Sequence, residues 1–100
     1  MEIKKPAMAG SMESSDCMVT IRPGQDGLQI ELESDVKLMF GESILKTVQE
    51  AMADLDVANA DISIFDRGAL DCVIRARVQC AACRAAEMPY DWKREAAYHG

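Results

Sequence analysis

Leu28-Gln29-Ile30-Glu31-Leu32-Glu33 alternates without a break, and at Ser34 the alternation stops. Leu28, Ile30 and Leu32 fall on one face and Gln29, Glu31 and Glu33 on the other, the period of two of a strand with one buried face. From Ser34 onward Val36, Phe40, Ile44, Val48, Ala51, Met52 and Leu55 recur at helical spacing, with Glu42, Lys46, Gln49 and Glu50 opposite. A half-buried strand that hands over directly to an amphipathic helix decides the class, an α+β domain with a sheet covered by helices. Ser34 or Asp35 is expected to cap the first helical turn. Glu42 and Lys46 stand in the favourable i,i+4 order. Gly41 costs about 1 kcal/mol relative to Ala inside a helix and marks a kink or a later start.

Upstream, Cys17-Met18-Val19-Thr20-Ile21 alternates in the same way, with Cys17, Val19 and Ile21 on one face. Arg22-Pro23-Gly24-Gln25-Asp26-Gly27 between the two runs is turn chemistry, so the pair is expected to form an antiparallel hairpin. Downstream, residues 54–60 connect the helix to a third strand, Ala60-Asp61-Ile62-Ser63-Ile64-Phe65, and Asp66-Arg67-Gly68 is a turn. The segment 69–86 supports two readings. Leu70, Val73, Ile74, Val78, Ala81 and Ala85 form a helical stripe with Asp71 and Arg75 as an i,i+4 pair, yet Leu70, Cys72, Ile74, Ala76 and Val78 also alternate. Length and the alanine-rich second half favour the helix. The expected fold is a small single domain over residues 1–100, with an antiparallel sheet of about three strands and two helices on one face. Residues 1–16 are expected to be a flexible lead-in with a short extended piece near Pro6 to Met8, and residues 87–100 an irregular tail.

One hundred residues suffice for one core, burying roughly two-thirds of the unfolded surface. With 49% hydrophobic residues but few aromatics, that core is built from aliphatics, Ala and Met. The net charge of -6 opposes binding to nucleic acid or an anionic membrane surface. No secretory signal or membrane-spanning run is visible, so reduced thiols and a cytoplasmic location are expected.

The candidate chemistry is sparse. Cys80-Ala81-Ala82-Cys83 has the spacing of a redox pair or half a zinc site, but it falls deep within a predicted helix. Cys72 shares a side with Cys83 nearly three turns away, and Cys17 and His99 are remote in sequence. No histidine or lysine is placed to activate a nucleophile, so no catalytic residue and no metal ligand is assigned. The stretch Ala9-Gly10-Ser11-Met12-Glu13-Ser14-Ser15-Asp16 offers three serine hydroxyls between carboxylates, either as plain lead-in or as a place where another protein takes hold of a hydroxyl.

Two stretches carry a resemblance. Residues 6–16, Pro-Ala-Met-Ala-Gly-Ser-Met-Glu-Ser-Ser-Asp, resemble the N-terminal signature of the citrate lyase acyl carrier proteins, the gamma subunits of that complex. Residues 66–77, Asp-Arg-Gly-Ala-Leu-Asp-Cys-Val-Ile-Arg-Ala-Arg, are similar to the second signature of the same family. The similarity extends over nearly the whole chain, including Phe40-Gly41 and a tail with Pro89 and Trp92. It implies a non-catalytic carrier bearing 2'-(5''-phosphoribosyl)-3'-dephospho-coenzyme A in phosphodiester linkage to Ser14, with Ser15 as the fallback position. It also implies three partners: a prosthetic-group transferase, an alpha subunit that exchanges acetyl for citryl on the arm, and a beta subunit that cleaves citryl-carrier to oxaloacetate and acetyl-carrier. Some family members have Gly where this chain has Ser15. Arg75 and Arg77 are either ion-paired on a helix face or in contact with a partner or the arm's phosphates. Tyr90 and Trp92 either pack on the domain or anchor a partner. The alternatives are the carrier subunit of a malonate decarboxylase, a Cys80/Cys83 metal or redox module, and a plain interaction domain.

Overall fold

A computed structural model describes residues 1–89. Its elements follow the order β1 (Ala7–Gly10), β2 (Cys17–Arg22), β3 (Leu28–Ser34), α1 (Lys37–Asp54), β4 (Ala60–Asp66) and α2 (Asp71–Ala86). The α+β class is as expected, and the ambiguous segment is helix from Asp71. Tyr90, Trp92, His99 and most of the predicted irregular tail lie outside the described residues.

The sheet differs from the expected one in strand number and in order. It has four strands in the order β1-β2-β4-β3. β2 and β3 do not pair as a hairpin, because β4 lies between them, antiparallel to β2 and parallel to β3. The sheet is therefore mixed. A parallel pair needs a crossover, and α1 supplies it between β3 and β4. The physical reason for the order is burial. Cys17, Val19 and Ile21 of β2 and Ala60, Ile62 and Ile64 of β4 are almost completely buried, as central strands require, whereas Leu28 and Ile30 of β3 remain half-buried. Exposed Glu31 and Glu33 suit an edge strand, where charge discourages pairing with another chain.

The fourth strand comes from the predicted lead-in. Ala7–Gly10 pairs with β2 in the register Ala7↔Ile21 to Gly10↔Met18, and Ile3 is buried in the same core. The backbone amides of Lys4 and Lys5 donate to the Ala85 carbonyl, tying this segment to the end of α2. Small residues at 7, 9 and 10 lack the β-branched signature, so pairing with β2 and not local propensity makes this strand.

Helix α1 buries Ile44, Val48, Ala51 and Met52, while Phe40 and its neighbours Leu38 and Met39 are exposed. Neither Ser34 nor Asp35 caps it. The helix begins after Val36, whose carbonyl receives the Met39 and Phe40 amides. The Ser34 hydroxyl instead accepts from Val36 N–H and donates to the Asp66 carboxylate. Gly41 is continuous with the helix, and Lys46 reaches Glu50 rather than Glu42. In α2, Ile74, Val78, Ala81, Ala82 and Ala85 turn towards the sheet and α1. The alanines permit close approach. No helix among the described residues is long and apolar enough to cross a membrane.

Gly10 ends β1 at φ 101°, and a Cβ there would sit 1.9 Å from the Cys17 carbonyl oxygen. Gly10→Ala is expected to lose about 2 kcal/mol or more, through left-handed strain and displacement of the β1–β2 pairing. Urea denaturation would measure this, and an unchanged midpoint would refute the close approach.

Candidate functional site

At one end of the sheet three connections gather: residues 11–16 between β1 and β2, residues 35–36 leading into α1, and residues 67–70 leading into α2. The register Cys17↔Asp66 forces the first and third together. Backbone bonding continues past the strand ends. Arg67 N–H donates to the Asp16 carbonyl at 2.9 Å, and Ser15 N–H donates to the Arg67 carbonyl at 2.8 Å. The Arg67 guanidinium adds a bond to the Met12 carbonyl at 3.0 Å and an ion pair with Asp35 at 2.8 Å.

Within the loop, Asp16 N–H donates to the Glu13 carbonyl, closing a four-residue turn with Ser14 and Ser15 at its centre. Ser15 has φ 65°, the left-handed region that glycine enters without penalty. The three serines are consequently not equivalent. Ser11 is half-buried and donates its hydroxyl to Asp16 at 2.7 Å. Ser15 is exposed, with its backbone held by Arg67. Ser14 is exposed, and among the described residues nothing hydrogen-bonds its hydroxyl.

Asp16 is the hub of the loop. Its carboxylate accepts from the Ser11 hydroxyl, from Cys17 N–H at 2.7 Å, and from Arg77 Nε and Nη2 at 3.1 Å each. The last two bonds are the bidentate geometry that makes Arg–carboxylate pairs strong. Burial pushes the Asp16 carboxyl upward, but the bonds from Ser11, Arg77 and Cys17 N–H outweigh it and hold the pKa below the ordinary value. The Asp16 bond correspondingly raises the pKa of Arg77. Arg75, two residues earlier, turns to α1 and pairs with Glu50 at 3.1 Å. The two arginines weighed together in the sequence thus hold different parts of the molecule.

The cysteines do not converge on a site. Cys17 is buried, and burial first, then the Asp16 and Asp66 carboxylates, push its thiol up to about 12. That thiol stays protonated and is a poor nucleophile. Cys80 and Cys83 lie one turn apart inside α2, Cys83 buried and Cys80 half-buried, and none of the four cysteines forms a disulfide among the described residues. Among the described residues no three His, Cys, Asp or Glu side chains gather as metal ligands. The sequence reading did not single out Arg67 or the apolar end of the sheet. There an open groove of about 400 Å³ is lined by Val36, Phe40, Ile44, Gly68, Ala69 and Leu70 among others, with Phe40 and Leu70 largely exposed. The exposure of Phe40 had no sequence signal, because Phe40 continues the buried stripe of its helix.

Because the folded-state pKa of Asp16 is depressed, its contribution is fully present above the unfolded value near 3.9 and is lost as pH falls through the folded value. Asp16→Asn should therefore flatten the loss of stability below about pH 4. Urea midpoints measured across that range would show it, and an acid slope equal to that of the unsubstituted chain would refute it.

Along most of its length the chain is similar to known proteins. A family model for the malonate decarboxylase delta subunit (MdcD) matches residues 4–85. The citrate lyase acyl carrier protein of Clostridium perfringens is 49% identical over 94 residues, covering 92% of this chain and 93% of its own. That of Klebsiella pneumoniae is 52% identical, covering 87% of this chain and 91% of its own. Among solved structures, a chain of a Pseudomonas malonate decarboxylase hetero-tetramer in complex with malonate superposes with a TM-score of 0.67 at 26% identity, covering 85% of this chain and 92% of its own. On the strength of this identity along nearly its whole length, the chain belongs to the citrate lyase acyl carrier protein family.

Proposed function

We propose that this protein is the acyl carrier subunit of a cytoplasmic citrate lyase and that Ser14 is the attachment point of its prosthetic group. The observation that carries the reading is the turn of residues 13–16, which exposes Ser14 at its centre while fastening the backbone on either side. A transferase needs a hydroxyl it can draw into its own site, and the Ser14 hydroxyl has no bond within the described residues to give up. Ser15 is the poorer choice, because its role follows from its backbone conformation and its N–H is already engaged.

The residues at this end suit the attached group, 2'-(5''-phosphoribosyl)-3'-dephospho-coenzyme A. Helices α1 and α2 both start here, and their N-terminal ends favour the negative charge of a phosphodiester. The Arg67 and Arg77 guanidinium groups at this end are ion-paired with Asp35 and Asp16, so they hold the loop and leave the phosphodiester to the helix ends. When bound, the arm supplies a terminal thiol that holds acyl groups as thioesters. The protein's own part is to tether, to present and to stay chemically inert, which the high pKa of Cys17 serves. Tethering raises the local concentration of the acyl group at the sites of the alpha and beta subunits. Exposed Phe40 and Leu70 line one apolar groove of the kind that subunit contacts cover, and Leu38 and Met39 on the first turn of α1 are exposed as well. Citrate lyase is preferred to malonate decarboxylase because the citrate lyase carriers reach 52% identity, whereas the malonate decarboxylase chain stands at 26%.

Intact-mass spectrometry of protein from cells growing on citrate should show one added nucleotide arm, with peptide mapping placing it on Ser14. An unmodified mass alongside active lyase would overturn the carrier reading. Ser14→Ala should abolish the addition. Ser15→Gly should retain it and raise stability by about 0.5 kcal/mol, since relief of left-handed strain exceeds the entropy of the added glycine. An arm that persists on Ser14→Ala would move the site to another serine.

A further inference from the structure

We infer that Asp16 and Arg77 are positioning residues for the loading of Ser14, so that the loading enzyme recognises a turn already held in shape and not a linear sequence. The inference rests on the carrier reading above. Arg77 stands 61 residues from Asp16 in the chain, yet it meets both carboxylate oxygens through two different nitrogens. The same carboxylate takes the Ser11 hydroxyl and the Cys17 amide, one on either flank of the turn. Arg67 fastens Met12 with its side chain, and Ser15 and Asp16 with its backbone. Among the described residues, every residue from Ser11 to Asp16 thus takes part in a hydrogen bond except Ser14. Fixing both flanks removes in advance the ordering cost that a flexible serine would meet on entering another protein's site.

In the loading step, Ser14 Oγ attacks a phosphorus of a phosphoanhydride-activated donor, forming the new P–O bond. The P–O bond to the departing phosphate or pyrophosphate breaks, and that group leaves with the electron pair. The hydroxyl proton passes to a base of the loading enzyme, since no carboxylate among the described residues of this chain is bonded to Ser14. Asp16 and Arg77 touch none of the reacting atoms. They act by holding the attacking oxygen in place.

The test follows loading of the full-length chain over time by intact mass, using the loading enzyme of a citrate lyase system and its activated donor. Arg77→Met and Asp16→Asn should each lower kcat/KM for the carrier at least tenfold, mainly by raising KM, with Arg77→Lys recovering part of the loss. Glu50→Ala breaks the Arg75 pair of the neighbouring helix face and serves as the stability control, staying within twofold. Hydrogen exchange should show the Ser15 and Cys17 amides losing protection in Arg77→Met and keeping it in Glu50→Ala. Loading of Arg77→Met or Asp16→Asn at the unsubstituted rate overturns the inference, as does a loss in all variants that merely tracks Tm. If Arg77→Met does not fold, Arg77→Lys and Asp16→Asn decide alone. Failure of the unsubstituted chain to be loaded would instead overturn the carrier reading itself.

Discussion

The antiparallel pairing of β2 with β4 is the constraint from which the rest of the molecule follows. Its register sets Cys17 against Asp66, and this places the loop before β2 beside the turn after β4. Two backbone bonds then carry the ladder beyond the strands into the loop that holds Ser14. The apolar alternation that builds the middle of the sheet therefore also delivers the serine, because Val19↔Ile64 and Ile21↔Ile62 cannot slip without turning the core face to solvent. Fold and site share one set of contacts.

With Ser14 as the tether point proposed above, this arrangement reconciles two demands that conflict for a flexible segment. A tether point has to be open to a large group and to several partner sites, which favours exposed backbone. It also has to be offered in a form that another active site can accept, which favours order. Here exposure belongs to one side chain and order belongs to its neighbours. Among the described residues nothing bonds the Ser14 hydroxyl, while Ser11, Ser15 and Asp16 are engaged. The thiol next to this loop is a poor nucleophile, since Cys17 is enclosed by the core and kept protonated by burial and two carboxylates.

The period of two at 17–21 and 28–33 and the helical period after Ser34 were readable because they report which face of an element is buried. They do not report which strand lies next to which, so the hairpin expected from residues 22–27 gave way to a sheet with β4 in its middle. Strand β1 was hidden for a different reason. Ala7, Ala9 and Gly10 have little intrinsic strand preference, and the conformation at Gly10 is set by the Cys17 carbonyl packed against it. Ser14 was reached through resemblance, since an exposed serine has no physical signature of its own. The Asp16–Arg77 bond spans too many residues for any local pattern to show.

The pair Arg75 and Arg77 shows how the second signature does its part. Residues two apart on a helix point to nearly opposite sides, so one stretch can hold α1 through Glu50 and the serine loop through Asp16 at once. The same stretch contributes Arg67 at the loop's other flank and buries Ile74 in the core between them. The two stretches that carry the family resemblance are therefore a single structural unit, the second built around the first. A chain with the serine stretch intact but without Asp66 to Arg77 would keep the hydroxyl and lose what holds it, because neither flank of the turn has a partner of equal geometry elsewhere among the described residues.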